Sequence, residues 1–222
     1  MKLLITGYTS KISKELIKII NSEIKTKIFT VGRHEDSTYY CDFSEFSSIK
    51  NLIKNIINKE KFDLIFLNHG ILLGKKALEL KKKQVNEYMM INCFSKIAIL
   101  EALTKHKKTN IVVTSSISSK EGSYDPIYAA TKAGLDSFRI RSGKSFDSSV
   151  RLNFISPGVI KDALMTTIRK DQDNVLAISR STPSKQLTTS YEVAKIVSYL
   201  LLSPGNIHCQ DIAINGGLSL NR

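Results

Sequence analysis

The sequence predicts an α/β protein, in which a doubly wound parallel sheet lies between two helical layers as a three-layer sandwich. Short apolar runs alternate along the chain with amphipathic segments of helical length. Strands separated by such helices form βα units with parallel strands and right-handed crossovers. The 222 residues, 42% of them hydrophobic, suffice for one sizeable core and are few for two. We therefore expect a single domain over residues 1–222.

The predicted strands are short apolar runs that end at glycine or polar residues, as expected where both faces of a sheet are covered. The first run ends at Thr6-Gly7, the third at His69-Gly70 and the fifth at Ser156-Pro157-Gly158. In chain order the strands are expected at Lys2–Thr6, Lys27–Val31, Asp63–Asn68, Asn110–Ser115, Arg151–Ile155 and Asp211–Ile214.

The predicted helices show apolar residues on one face, as Ile12, Leu16, Ile19 and Ile20 do in the first of them. In chain order they are expected at Lys11–Asn21, Phe46–Asn58, Gln84–Thr104, Tyr128–Phe146 and Tyr191–Leu202.

One long stretch, Asp162–Thr189, has no clear periodicity. Unstructured segments of this length inside a compact domain are commonly functional covers over a site. We expect a substrate-covering segment over about residues 159–189. Basic residues within it raise the hypothesis of an anionic substrate, with an ordinary basic surface as the alternative: Arg169, Lys170, Arg180 and Lys185.

The net charge of +13 raises the hypothesis of a nucleic-acid-binding surface. The lysines are spread over nearly every predicted helix, however, and there is no arginine-rich arm, so we expect a solvated basic surface and no nucleic-acid or membrane partner. The N-terminal apolar run is too short to predict a signal peptide or a membrane span. The three cysteines lack metal-ligand or disulfide spacing, which predicts free thiols, no metal site and a cytoplasmic location.

The strongest catalytic pattern is Tyr128 followed by Lys132, a spacing that puts both side chains on one helix face. A nearby ammonium favours the phenolate, so we expect Lys132 to lower the pKa of Tyr128 and make it a general acid or base. Ser115 and Ser116 lie upstream at the carboxyl end of a strand, where ligands of open α/β sheets bind. A hydroxyl there can donate a hydrogen bond to a substrate oxygen.

This constellation resembles the short-chain dehydrogenase/reductase family in its single-domain branch, over the whole chain. Thr6-Gly7 resembles the start of the family's T-G-x-x-x-G-x-G turn, and Asn68-His69-Gly70 its N-A-G strand end. Ser156-Pro157-Gly158 is similar to the motif beside the nicotinamide, and residues 210–217 to the family's closing G-Q-x-I-x-V-D-G-G. The resemblance implies a Rossmann-type fold and a catalytic tetrad, which would consist of Asn92, Ser116, Tyr128 and Lys132.

In the roles implied by the resemblance, Tyr128 exchanges a proton with the substrate oxygen, and Lys132 binds the nicotinamide ribose. Ser116 polarises the carbonyl, with Ser115 as the alternative, and Asn92 holds a water of the proton relay. The expected cofactor-binding residues are Gly7, Ser10, Lys11, Ile12, Arg33, Asp42, Phe43, Asn68, Gly70, Tyr128, Lys132, Pro157, Gly158 and Ile160.

The sequence departs from the family pattern at several points. Lys11 and Ser13 stand where the family has glycines, Asp162 stands where a threonine commonly contacts the carboxamide, and His208-Cys209 replace a usual Thr-Gly. A nucleotide-sensing or scaffold protein of the same fold with weakened catalysis is therefore the alternative function.

The cofactor choice rests on the end of the second strand. An acidic residue there would accept from the ribose 2′-hydroxyl, but Arg33 is present and can pair with a 2′-phosphate. The sequence thus predicts an NAD(P)(H)-dependent oxidoreductase that reduces a carbonyl or oxidises a hydroxyl of a small, anionic molecule. NADP is the preferred cofactor and NAD the alternative, and the resemblance implies a homodimer or homotetramer.

Overall fold

The sheet has seven strands, all parallel, in the computed structural model, which describes residues 1–167 and 172–220. Its order is β3-β2-β1-β4-β5-β6-β7. The strands are β1 (Lys2–Thr6), β2 (Lys27–Gly32), β3 (Tyr39–Tyr40), β4 (Leu64–Leu67), β5 (Asn110–Thr114), β6 (Arg151–Pro157) and β7 (Asp211–Ile214).

The strand order reverses at β1, which pairs with β2 on one side and with β4 on the other. Thr6 is in register with Val31 of β2 and with Leu67 of β4, so the three strands end at the same edge. In doubly wound sheets a crevice opens at this edge where the order reverses, and ligands bind there. The predicted fold class is confirmed.

The helices form the two outer layers. They are α1 (Lys11–Glu23), α2 (Phe46–Leu52), α3 (Lys82–Met89), α4 (Ser95–Leu103), α5 (Ser118–Glu121), α6 (Pro126–Ser142), α7 (Leu164–Thr167), α8 (Gln172–Ser181) and α9 (Ser190–Leu202). None of these helices is both long and apolar enough to cross a lipid bilayer, within the part of the chain that the structure describes.

The two faces of the sheet bury separate cores, because successive strand residues point to opposite sides. Leu4 of β1 belongs to the core that includes Leu100 of α4 and Leu135 of α6. Leu3 and Ile5 belong to the other core, which is covered by α1 and α9. The two clusters complete the three-layer sandwich that the apolar runs predict.

Two predicted helices are interrupted. The predicted helix Gln84–Thr104 consists of α3, a π-helical turn over Met90–Phe94 and α4. The predicted helix Phe46–Asn58 consists of α2 and a π-helical turn over Ile53–Ile57. A π-turn has one more residue per hydrogen bond than an α-turn, and such turns are frequent at functional sites. Apolar periodicity does not distinguish the two, and so the prediction of continuous helices was wrong.

The long stretch without periodicity is also partly helical. It contains α7 and α8, and Ile160 pairs with Thr188 in an isolated parallel bridge across it. These helices are short and largely exposed, which is why their apolar pattern is weak. Arg169 and Lys170, two of the residues that indicated an anionic substrate, lie outside the described residues. The two-residue strand β3 has too short a pattern to be predicted.

Leu16 offers a test of the α1 side of the core, because it is fully buried between α1 and the sheet. We expect Leu16→Ala to lower the free energy of unfolding by about 2–5 kcal/mol, from lost apolar burial and the cavity left behind. Leu78→Ala, the same change at a fully exposed leucine, should cost under about 0.5 kcal/mol. Urea denaturation followed by circular dichroism measures both, and equal effects would contradict the packing described.

Candidate active site

A cleft of about 1300 Å³ runs along the carboxyl edge of the sheet, at the point where the strand order reverses. The turn after β1, the ends of β4, β5 and β6, and the segments around α5, α7 and α8 form its walls. Of the residues expected at the site, the cleft brings together Gly7, Ser10, Lys11, Ile12, Asn68, Gly70, Ser115, Ser116, Tyr128, Lys132, Pro157, Gly158 and Ile160.

The turn after β1 depends on the missing side chain of Gly7. A Cβ there would lie 2.8 Å from the backbone nitrogen of His69 and 2.9 Å from the carbonyl group of Asn68. The φ of Gly7 is +63°, a left-handed conformation that disfavours other residues. Gly7 therefore lets the β1 turn lie directly against the end of β4.

Two serine hydroxyls organise the turn after β1, and one of them, that of Ser13, stands where the family has a glycine. Ser10 caps α1, accepting from the Ser13 backbone nitrogen at 3.2 Å. The fully buried Ser13 Oγ donates to the Gly7 carbonyl at 3.0 Å. The Asn68 amide donates to Ser10 Oγ at 2.7 Å and to Ser13 Oγ at 3.0 Å, while its carbonyl accepts from Thr114 Oγ1 at 2.8 Å. Ser13 thus fits its confined position, and Asn68 joins the ends of β1, β4 and β5.

The amino end of α1 opens into this cleft through Ser10, Lys11 and Ile12. The first backbone N–H groups of a helix have no partner within it, and the helix dipole adds partial positive charge. A helix terminus of this kind binds phosphate groups. The backbone of the turn therefore suits the pyrophosphate of a dinucleotide.

Asp125 fixes the start of α6 and thereby the position of Tyr128. The helix begins at Pro126, two residues earlier than predicted, because Asp125 caps it by accepting from the Tyr128 backbone nitrogen at 3.0 Å. The fully buried Asp125 carboxylate also accepts from the Tyr88 hydroxyl and from the Gly74 backbone nitrogen. Its bonds hold the loop after β4 against the first turn of α6.

Tyr128 and Lys132 lie on one face of α6, with Lys132 Nζ 5.5 Å from the centre of the tyrosine ring. Burial is the main influence on Tyr128 and raises its pKa above the usual value of 10. The Ser116 hydroxyl opposes this shift through a hydrogen bond, whereas Lys132 has no resolved effect on it. The expected lowering of this pKa by Lys132 is therefore wrong for the structure, because desolvation outweighs the Ser116 hydrogen bond, the one influence that lowers the pKa.

The two candidate serines differ in their contacts. Ser116 lies within hydrogen-bonding reach of Tyr128, and its Oγ also accepts from the Ser118 backbone nitrogen at 3.2 Å. Ser115 Oγ is buried without a hydrogen-bond partner among the described residues, although Ser115 lines the same cleft. The geometry therefore brings Ser116 to the tyrosine and leaves Ser115 with a free hydroxyl.

Asn92 lies on the π-helical turn between α3 and α4 and is fully buried. Its side chain makes two bonds to Ile71: Oδ1 accepts from the backbone nitrogen at 2.8 Å, and Nδ2 donates to the carbonyl at 2.9 Å. A Cβ on Gly70 would lie 3.2 Å from Asn92 Oδ1 and 3.9 Å from Lys132 Nζ. Asn92 therefore positions the backbone that borders the lysine.

Lys132 is almost completely buried, and its Nζ donates to the carbonyl oxygen of Thr114 at 3.3 Å. Burial lowers its pKa to about 8. A second lysine, Lys96 of α4, is fully buried beside it and donates to the same carbonyl at 2.8 Å. Sequence reasoning missed Lys96, although a lysine four residues after Asn92 on a buried helix was a signal.

Three expected cofactor residues do not line the cleft. Arg33 is largely exposed and lies 3.6 Å from Asp42, to which it is paired. Asp42 also accepts from the Ser44 backbone and hydroxyl. The Phe43 ring is buried and stacks on His69, with ring centres 3.8 Å apart. The Phe43 side chain therefore packs in the core, and a ligand could contact this residue only through its backbone.

The end of β6 closes the other side of the cleft through Pro157 and Gly158. The Gly158 nitrogen donates to the Ile214 carbonyl at 3.0 Å, and a Cβ on Gly158 would lie 3.0 Å from that of Asn215. Ile160 is half-buried and anchors the segment that follows through its bridge to Thr188. These contacts bring the following segment over the cleft.

Two residues that depart from the family pattern meet across the cleft. Lys11 Nζ lies 2.9 Å from Asp162 Oδ2, and Asp162 also accepts from the Ser190 backbone nitrogen at 2.8 Å. Burial would raise the pKa of Asp162, but the hydrogen bonds from Lys11 and Ser190 outweigh it and lower that pKa. The ion pair links the β1 turn to the segment that follows β6.

Asp125 and Tyr88 are further site residues that sequence reasoning missed. Asp125 had a readable signal, since an aspartate before proline is typical of a helix N-cap. Tyr88 had none, because its hydroxyl reaches the Leu73 backbone and Asp125 through the tertiary fold. Within residues 1–167 and 172–220, no three His, Cys, Asp or Glu side chains cluster as metal ligands would.

Comparison with known proteins agrees with this geometry. A family model described as Enoyl-(Acyl carrier protein) reductase matches residues 14–219. A 3-oxoacyl-[acyl-carrier-protein] reductase of Rickettsia bellii is 24% identical, covering 96% of this chain and 92% of that protein. A tropinone reductase homolog of Arabidopsis thaliana is also 24% identical, covering 98% and 92%.

Solved structures share the fold over nearly their full length. A short chain dehydrogenase family protein from Francisella tularensis superposes with a TM-score of 0.82 at 21% identity, covering 99% of each chain. The ligand-free aldohexose dehydrogenase of Thermoplasma acidophilum gives a TM-score of 0.83 at 18% identity, covering 100% of this chain and 95% of that one.

The pair of Lys11 and Asp162 predicts a measurable effect on dinucleotide binding. Asp162→Asn should tighten binding about two- to fivefold, because it frees the Lys11 ammonium for a phosphate; the scale is that of an exposed ion pair. Glu15→Gln is the matched control, because it removes one negative charge from the cleft wall and frees Lys18 in place of Lys11. Fluorescence titration at low and high salt gives both affinities. Equal or weaker dinucleotide binding by Asp162→Asn would show that Asp162 does not compete with the phosphates for Lys11.

Proposed function

The chain belongs to the short-chain dehydrogenase/reductase family, and we propose that it is an NADP(H)-dependent reductase of a small, anionic carbonyl compound. Membership of the family by itself supports an oxidoreductase that acts on CH–OH or C=O groups with a nicotinamide dinucleotide. One observation carries the proposal. Ser116, Tyr128 and Lys132 converge at the cleft into which the amino end of α1 also opens.

The cleft fits a dinucleotide. Gly7 lacks the Cβ that would push the turn away from the end of β4, and Ser115 and Ser116 line the same space. The α1 terminus with Ser10, Lys11 and Ile12 would hold the pyrophosphate. Lys132 would hold the nicotinamide ribose, with Gly70 and Gly158 bordering it. When bound, the nicotinamide supplies the hydride that reduces the substrate carbon.

Tyr128 is the general acid of the proposed reaction. Its raised pKa keeps the phenol protonated at neutral pH, which is the form that can donate a proton to a carbonyl oxygen as that oxygen gains charge. The Ser116 hydroxyl donates a second hydrogen bond to the same oxygen and stabilises its developing charge. Asn92 acts further back, holding the Ile71 backbone beside the lysine.

The segment over about residues 159–189 covers the substrate in this proposal. Its residues Leu164, Thr166 and Ile178 line the cleft, whereas Arg180 and Lys185 are exposed and do not line it. The positive charge that favours an anionic substrate therefore comes from the cleft wall itself, where Lys14 and Lys18 lie. We further propose one domain over residues 1–222, a cytoplasmic location and a homodimer or homotetramer with isologous contacts, the closed symmetry most common among oligomers.

The alternative function is a nucleotide-sensing or scaffold protein with weakened catalysis. The observation that favours it is the ion pair of Lys11 and Asp162, which crosses the entrance of the pyrophosphate site. Dinucleotide binding without turnover on any member of a carbonyl panel would support this alternative, whereas turnover would support the reductase.

Tyr128→Phe tests the catalytic assignment, because it removes the hydroxyl and keeps the ring. We expect dinucleotide affinity to stay within about twofold, while the rate of NADPH oxidation with a reactive carbonyl falls about 10²–10⁴-fold, the range for a positioned general acid. Tyr199→Phe, at an exposed tyrosine of α9, is the matched control. Indistinguishable rates for the wild type and Tyr128→Phe would exclude this tyrosine as the acid.

Arg33→Ala tests the cofactor preference. If Arg33 leaves Asp42 to clamp a 2′-phosphate, the variant should bind NADPH more weakly by about 1–3 kcal/mol, the scale of a hydrogen bond to a charged group. NADH binding should stay nearly unchanged in the variant. Arg141→Ala, at an exposed arginine of α6, controls for the loss of one positive charge. Equal wild-type affinity for the two cofactors would overturn the preference for NADP.

A further inference from the structure

Lys96 is a buried lysine that the mechanism above does not use. It lies on α4 with no exposed surface, and its Nζ donates to the Thr114 carbonyl at the end of β5 at 2.8 Å. Lys132 Nζ donates to the same oxygen at 3.3 Å, and the two amines are within hydrogen-bonding reach of each other. Two lysine side chains therefore share one carbonyl beneath the active site.

This pair has no carboxylate to neutralise it. Neither lysine takes part in an ion pair within the described part of the chain. Two ammonium groups cannot remain side by side in a buried site, because desolvation and mutual repulsion both disfavour the second charge. One of the two amines must therefore be neutral, and a neutral amine has a lone pair that accepts a hydrogen bond.

The surroundings assign the neutral amine to Lys96. Burial, followed by the charge of Lys132, places the pKa of Lys96 well below the usual lysine value, whereas Lys132 keeps a pKa of about 8. The other titratable groups that face the pair are uncharged at neutral pH. Burial lowers the pKa of His69 at the end of β4, raises that of the Cys93 thiol on the π-helical turn, and raises that of Tyr128 on α6.

We propose that Lys96 is a positioning residue, whose neutral amine accepts a hydrogen bond from the Lys132 ammonium and holds it between the Thr114 carbonyl and the cleft. Lys96 donates one N–H to Thr114 and accepts one from Lys132, so each of the three groups has a partner. The effect of this arrangement on catalysis rests on the proposed function. The proton shared between the two buried amines does not, because it requires no substrate.

The arrangement has a defined consequence for Lys132. An acceptor on the ammonium favours the charged form, so the Lys96 amine opposes the desolvation of Lys132 and keeps it protonated at neutral pH. Because the two sites are coupled, their protons leave in two steps that belong to the pair. As the pH rises through about 8 the pair loses its remaining proton, and the reductase rate should fall with it.

The test is an NMR titration of isotope-labelled lysine side chains in the cofactor-free protein, with Lys96 and Lys132 assigned by substitution. In the wild type we expect both Nζ groups to titrate well below the lysine value of about 10.4. Lys96→Met removes the acceptor, so the Lys132 titration should move down by about one pH unit. Lys96→Gln keeps one donor and one acceptor and should restore the wild-type midpoint. Lys105→Met, at an exposed lysine after α4, should leave it unchanged.

Activity supplies a second readout. The basic limb of the pH profile of kcat/KM should move down in Lys96→Met and return in Lys96→Gln. A wild-type Lys96 that titrates near 10.4, or a Lys132 midpoint unchanged in Lys96→Met, would overturn the proposal. If Lys96→Met does not fold, the wild-type titration and Lys96→Gln still decide it. The titration is independent of turnover, so an inactive protein with a coupled pair would refute only the proposed function.

Discussion

The site depends on one close contact, that of the β1 turn with the end of β4. Without a Cβ, Gly7 lies directly against Asn68 and His69. The contact lets the Asn68 side chain reach Ser10 and Ser13 on one side and Thr114 on the other. Side chains thereby join three strand ends, in addition to the backbone hydrogen bonds that pair the strands. The Thr114 carbonyl in turn accepts from Lys96 and Lys132, so these contacts extend from the turn at Gly7 to the lysines.

Burial sets the charge state of this edge. It raises the pKa of Tyr128 and lowers those of Lys132 and His69, so each group moves toward its neutral form. Both tendencies have the same cause, since a low-dielectric site disfavours any charge without a partner. An anionic group that enters the cleft would favour the protonated lysine. The protein without ligand thus presents a protonated phenol, ready to donate a proton.

The sequence predicted the parts of this structure that rest on local patterns. Apolar runs predicted all the strands except β3, which has two residues, and the spacing of Tyr128 and Lys132 predicted their shared face. The π-helical turn at Asn92 was missed because it keeps the apolar pattern of a helix. The pKa of Tyr128 was misjudged because spacing reports the nearby ammonium and says nothing of burial. Lys96 had a signal in its position four residues after Asn92, but only the fold shows that it shares the Thr114 carbonyl with Lys132.

The departures from the family pattern are compensated by contacts in this chain. Ser13, at a glycine position, fills its space with bonds to the Gly7 carbonyl and the Asn68 amide. Lys11 meets Asp162, the other altered residue of the cleft. Cys209, at a third glycine position, adopts a φ of +55°, and its carbonyl accepts from Arg139 at 2.6 Å.

The replacements at Lys11, Ser13 and Cys209, each taken alone, suggest a damaged site, because each puts a side chain where the family has a glycine. Their contacts favour a different interpretation. The buried Ser13 hydroxyl has two partners, the Gly7 carbonyl and the Asn68 amide, so its side chain leaves the turn intact. Unpartnered buried polar groups cost about 1–3 kcal/mol each, so these bonds preserve the fold of the turn. The altered turn therefore keeps the close contact with β4 on which the rest of the site depends.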